Sequence, residues 1–225
     1  MRIGIYGGSF NPVHMAHLLL AECCREQLQL DRVIFVPAAR PPHKPDLRLA
    51  PSADRIAMLE LAIAGVPEFV ISREEIDRAE FGGEPGWMFV TVENLQRSLH
   101  TATGNTTTAG EPHQWFLLVG ADMFEDLPRW YRAAELLQLV TPIGVHRPGW
   151  PEPDAMRYFT SLVGESLAAE IAAAQCVTMP QVELSSTELR HRITDGRSLR
   201  WRTPAAVECY IHQHDIYRET SSGER

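Results

Sequence analysis

The chain has 225 residues, is 44% hydrophobic and carries a formal net charge of -8. This length suits one large domain with enough apolar residue to bury a full core, and the acidic balance argues against a protein built to hold a nucleic-acid backbone. No stretch reaches the roughly 18 apolar residues of a membrane span, and no apolar run of signal length follows the opening MRIGIYGG, so a cytoplasmic location is expected.

In chain order, short continuous apolar runs at 2–6, 32–36, 69–72, 115–119 and 140–145 read as buried parallel strands. Helical patterns lie between and after them, at 13–28, 52–64, 91–100, 132–138, 164–174, 186–194 and 204–213. The alternation predicts an α/β fold: a Rossmann-like parallel sheet with helices on both faces and a small C-terminal helical part over about 180–217. One domain over 1–217 is expected, with 218–225 as a frayed tail and the Thr/Gly-rich stretch 101–112 as a mobile surface loop. Cys23, Cys24, Cys176 and Cys209 form no C-x-x-C pair and read as free thiols of a reducing compartment.

The chemistry begins in GIYGGSFNPVHMAH, residues 4–17. Ligands of open α/β sheets bind beyond the carboxyl ends of the strands. Gly7 and Gly8 fall there and would let a ligand approach bare backbone. Asn11 and Pro12 read as the N-cap and first residue of a helix. His14 and His17 then share one face in its first turns, at the positive end of the dipole. This combination describes an anion site. A metal pair or two histidines without function remain open at this point, and neither a G-x-G-x-x-G turn nor the G-K-[ST] of a P-loop is present.

A second helix start stands in VELSSTELRHRI, residues 182–193. A strand-like stretch runs into it, and Ser185 with Glu188 fits a capping box. Ser186 and Arg190, four apart, lie on one face. A hydroxyl, free backbone N–H groups and a guanidinium therefore converge on one point.

GGSFNPVHMAH closely resembles the first motif of the HxGH nucleotidyltransferases, with Ala16 for the usual glycine and Asn11 where Asp is frequent. SSTELR resembles their SSTxIR motif. PAARPPHK (37–44), VGADMFEDLPRWYRAAELL (119–137), HRPGW (146–150) and the closing stretch 201–217 are similar to segments of the nicotinate-nucleotide adenylyltransferase branch. In the position of that branch's S-Y-T this chain has Phe89-Val90-Thr91, which keeps the threonine and not the tyrosine.

The resemblance implies transfer of AMP from ATP to nicotinate mononucleotide, with Mg²⁺ on the triphosphate. Under it His14, His17 and Arg190 are catalytic. Gly7, Gly8, Ser9, Phe10, Asp122, Arg147, Ser186 and Thr187 contact ATP. His43, Lys44, Thr91 and Trp130 hold the acceptor, the last stacked on the pyridine. No protein-held metal, nucleic acid or membrane partner is implied, and a homo-oligomer is possible. Acceptors left open are nicotinamide mononucleotide and phosphopantetheine, beside a non-catalytic nucleotide sensor on the same fold.

Overall fold

The computed structural model describes residues 1–40, 48–82, 86–103, 112–146, 154–174 and 177–218, without the side chains of Ala102, Thr103 and Asp122. His43, Lys44, Arg147, Cys176, most of the 101–112 loop and the tail from 219 lie outside the described residues.

Six described strands are β1 (Arg2–Gly8), β2 (Arg32–Pro37), β3 (Phe69–Ile71), β4 (Gln114–Gly120), β5 (Thr141–His146) and β6 (Val177–Thr178). They form one sheet in the order β3-β2-β1-β4-β5-β6, and every pairing is parallel. The first five fall within two residues of the expected runs, because buried parallel strands are written as continuous apolar stretches. The two-residue β6 has too short a signature to be read.

The described helices are α1 (Met15–Gln27), α2 (Ser52–Ile63), α3 (Glu74–Glu80), α4 (Met88–Thr103), α5 (Ala121–Asp126), α6 (Ala133–Leu139), α7 (Ala155–Val163), α8 (Glu165–Ala173), α9 (Ser186–Thr194) and α10 (Ala205–Gln213). The helix expected at 91–100 starts three residues earlier, and α3, α5 and α7 were not anticipated. In α3 only Glu75 and Ile76 are buried, so EEIDRAE carries no apolar period. Val182–Leu184 enters α9 as irregular chain, not as a strand.

Two apolar layers sandwich the sheet. One gathers Leu20, Met58, Leu59, Leu189, Val207 and Ile211, from α1, α2, α9 and α10. The other gathers Val92, Leu136, Phe159, Ala168 and Ile171, from α4, α6, α7 and α8. Successive β1 residues alternate between them: Ile5 faces the second layer and Tyr6 the first. The strand order reverses between β1 and β4, and the crevice beyond their carboxyl ends is where such sheets bind ligands.

Candidate active site at the carboxyl end of β1

β1 ends in Gly7 and Gly8, and the directions a Cβ would take are already filled. At Gly7 it would come within 2.5 Å of Met88 Cε, and at Gly8 within 3.0 Å of the Phe10 ring. These glycines therefore let α4 and Phe10 close over the strand end. That is a packing requirement which the sequence reading did not anticipate. Phe10 itself takes a left-handed backbone, at φ 45°.

The helix after the turn does not start at Pro12. His14 is the N-cap and α1 begins at Met15. Asn11 cannot cap because its fully buried amide is committed elsewhere. Its Oδ1 accepts from the Ala50 N–H (3.0 Å) and the Tyr217 hydroxyl (2.8 Å), and its Nδ2 donates to the Arg48 carbonyl (3.2 Å). Arg55, 1% exposed, donates to the carbonyls of Ser9 (2.8 Å) and Ala50 (3.1 Å). Burial lowers its pKa from the usual arginine range.

The C-terminal helices hold the rest of this turn. Arg190 Nη1 donates to Asn11 O (2.8 Å), Ser186 Oγ to Pro12 O (2.9 Å) and Thr203 Oγ1 to Val13 O (2.8 Å). Three successive carbonyls in an irregular buried segment thus each receive a donor from the far end of the chain, which buried backbone requires. The Met15 N–H, left over at the start of α1, donates to Arg202 O (2.8 Å). The two motifs, far apart in sequence, form one structure.

At its centre the His14 and His17 rings stack, with centroids 3.6 Å apart and planes 16° from parallel. His14 is buried, at 4% exposure, and His17 is the more open of the two. The His14 N–H donates to His17 Nδ1 (3.2 Å). A nitrogen that accepts carries no hydrogen, so the neutral His17 ring holds its proton on Nε2, which makes Nε2 a donor. Phe10 meets the ring edge-on at 5.1 Å.

α9 is capped as expected: Ser185 Oγ accepts from the Glu188 N–H at 3.1 Å. The free N–H groups of its first turn, at Ser186 and Thr187, belong to an anion-receptive helix end. Arg190 Nη2 is 3.1 Å from Thr187 Oγ1. The Ser186 hydroxyl proton is taken by Pro12 O, so that side chain braces the turn and does not point a donor outward. Arg190 also borders a cleft of about 870 Å³ shared with Arg48, Asp54, Tyr217 and Arg218.

On the other side of the crevice α4 starts above Gly7. Trp87, just before it, stacks on Tyr131 (centroids 5.0 Å, 28°), and the Arg132 guanidinium lies 3.9 Å from the Phe89 ring centroid. Trp130 is half-buried against the second core layer. Thr91, expected as a direct donor to the acceptor, is completely buried, and its hydroxyl accepts from Arg78 Nη2 at 3.1 Å. Asp122 is the second residue of α5, which follows β4 and has Gly120 as its N-cap.

The structure therefore joins His14, His17, Ser186, Thr187 and Arg190 around the turn that Gly7, Gly8, Ser9 and Phe10 lead into. Thr91, in α4, and Trp130, which follows the turn Leu127–Arg129, lie on separate elements. The sequence reading missed Asn11 as a hub, and also Arg55, Arg78, Thr203 and Tyr217. The last helix, expected at 204–213, is α10, and Tyr217 follows it at φ 67°.

Residues 5–192 match the cytidylyltransferase-like family. A protein of Thermus thermophilus named "Probable nicotinate-nucleotide adenylyltransferase" is 38% identical over 97% of this chain and 100% of its own length. One of Synechococcus sp. with the same name is 42% identical over 96% of this chain and 94% of its own. Among solved structures, the nicotinic acid mononucleotide adenylyltransferase of Plasmodium falciparum shares the fold, with a TM-score of 0.64 over 96% of each chain at 15% identity. The chain belongs to the cytidylyltransferase-like nucleotidyltransferases and, within them, to the nicotinate-nucleotide adenylyltransferase family.

Proposed function

We propose that the protein transfers AMP from ATP to nicotinate mononucleotide, releasing pyrophosphate and forming deamido-NAD. A phosphate oxygen of the mononucleotide attacks the α-phosphorus of ATP, and the bond to the β-phosphate bridging oxygen breaks. The acceptor is itself the nucleophile, so catalysis reduces to positioning and charge stabilisation. The observation that carries this reading is the docking of the SSTELR helix on the His-x-x-His turn through Ser186–Pro12 and Arg190–Asn11. It sets imidazole donors, a helix N-terminus and a guanidinium beside one another at the switch point of the sheet.

In this reading His17 donates from Nε2 to the transferring phosphate, and His14, stacked beneath it, fixes its plane. Arg190 and the first turn of α9 receive the β- and γ-phosphates. Gly7, Gly8, Ser9 and Phe10 supply the floor between the nucleotides. Asp122 accepts from ribose hydroxyls, and Arg147 contacts ATP. His43, Lys44, Trp130 and the Thr91 region form the acceptor side. Mg²⁺ enters with ATP as part of the substrate, on its phosphate oxygens.

The test is pyrophosphate release from MgATP with nicotinate mononucleotide, nicotinamide mononucleotide or phosphopantetheine. We expect kcat/KM for the acid mononucleotide to exceed that for the amide by at least roughly a hundredfold. Comparable values would establish a dual-specificity enzyme. Activity on phosphopantetheine alone, or on none of the three, would overturn the reading.

A further inference from the structure

The chain beyond α10 adopts two strained residues to place one hydroxyl. After Gln213 the His214 N–H closes on Tyr210 O (3.0 Å) and the Ile216 N–H on Ile211 O (3.1 Å). Asp215 and Tyr217 both take left-handed backbones, at φ 51° and 67°, while Ile216 between them is buried in the apolar layer of α1, α2, α9 and α10. Bulky residues rarely adopt that conformation, and it persists only where the surroundings hold it. Here it turns the Tyr217 ring to the edge of the cleft shared with Asp54 and Arg190. Its hydroxyl reaches Asn11 Oδ1 at 2.8 Å, across 206 residues of sequence.

The direction of this bond is fixed. The Ala50 N–H can only donate, so the Asn11 atom facing it is the oxygen. The Tyr217 hydroxyl meets the same oxygen and must donate as well. Burial holds the phenol above the usual tyrosine range, so it keeps its proton. With the Asn11 amide nitrogen on Arg48 O (3.2 Å), the fully buried side chain is bound at both ends. The backbone carbonyl of the same residue is what Arg190 Nη1 grips (2.8 Å), while Nη2 bonds Thr187 Oγ1 (3.1 Å). Among the described residues these bonds engage one donor on each Nη, and their geometry sets where the remaining N–H groups of the fork point. An Asn11 side chain that lost a donor would be free to tilt its peptide and carry the guanidinium with it.

We propose that Tyr217 is a positioning residue for the transfer: its hydroxyl locks Asn11 and, through the Asn11 carbonyl, aims the Arg190 guanidinium at the leaving phosphates. The proposal rests on the assignment of Arg190 to ATP above and extends it to a residue that acts through two others.

The experiment is a double-mutant cycle of Tyr217→Phe and Arg190→Lys, with kcat and KM for MgATP and for nicotinate mononucleotide measured in all four proteins. Tyr217→Phe keeps the ring and removes the hydroxyl. It should lower kcat/KM for MgATP roughly tenfold, the size of one buried hydrogen bond, and leave the KM of the mononucleotide within about twofold. In the Arg190→Lys background, where the fork is already gone, the same change should matter by less than about twofold. Binding is read separately, as the rise in melting temperature that α,β-methylene-ATP gives with Mg²⁺; that rise should shrink in Tyr217→Phe. Losses that multiply in the double variant, or that fall equally on ATP and the mononucleotide, would reduce Tyr217 to a brace of the fold and overturn the proposal. So would a Tyr217→Phe protein that turns over normally or does not fold. An Arg190→Lys variant unchanged toward ATP would overturn the assignment of Arg190 itself, and the proposal with it.

Discussion

Glu75 offers the sharpest test of the electrostatics around this crevice. The residue is 3% exposed. Its Oε1 accepts from the Ala39 N–H at 3.0 Å, and its carboxylate lies so close to Gly86 that a Cβ there would collide with it. Burial pushes its pKa up to about 7 from 4.5, against the opposing pull of the Ala39 N–H, Arg78 and Arg55; Glu74 adds to the rise. A folded value above the unfolded one means that the folded protein keeps a proton which the unfolded chain releases. Stability then falls as pH rises from the unfolded value through the folded one. At about 1.4 kcal/mol per unit, the change is about 2.5 kcal/mol between pH ~5 and pH ~8. Glu75→Gln is neutral throughout and keeps the acceptor for Ala39. Any cost of placing its amide is the same at every pH. Urea unfolding of both proteins at those two pH values isolates the carboxyl. The variant should gain about 2.5 kcal/mol on the wild type between the lower and the higher pH. An unchanged difference would refute the assignment of a neutral, buried Glu75.

The remaining expectations concern the phosphate side. His17→Ala should lower kcat roughly a hundredfold in a folded protein, the usual cost of one donor to transition-state charge; near-normal turnover would remove the Nε2 role. Arg190→Lys, which loses the fork that spans Asn11 O and Thr187, should raise the KM of ATP and leave that of the acceptor unchanged. An effect confined to the acceptor would place the residue on the wrong substrate. Thr203→Val leaves the Val13 carbonyl unpaired in a buried site, so unfolding free energy should fall by about 1–3 kcal/mol in denaturant titrations; an unchanged midpoint would show that the carbonyl finds another donor.

The sheet was legible because its strands are apolar runs separated by helical periods, and the two motifs at 4–17 and 182–193 were legible because they lead into helix starts. Ser185 could be read as a cap from Glu188 three residues on. Asn11 could not be placed, because the same Asn-Pro spelling serves a helix cap and a buried hub. What decided between them was Ala50 and Tyr217, far away in sequence. The hydroxyl of Thr91 could not be read for the same reason: its partner, Arg78, lies on a short helix with no apolar period. Local pattern reports what a residue can do, and long-range partners select which of those it does.

That selection also explains why the C-terminal helices pack where they do. The turn from Asn11 to Val13 must leave β1 without continuing the sheet or beginning a helix, so its three carbonyls have no local donors. Water could satisfy them only if the turn were open, and an open turn would let His14 and His17 swing away from one another. Arg190, Ser186 and Thr203 supply the donors from α9 and the loop before α10 and keep the turn dry. Each is a side chain on a fixed scaffold, with Leu189 and Val207 buried in the same apolar layer as Leu20 of α1. The stacked imidazoles are therefore held by backbone that the last quarter of the chain completes, and the shape of the first motif depends on the packing of the second.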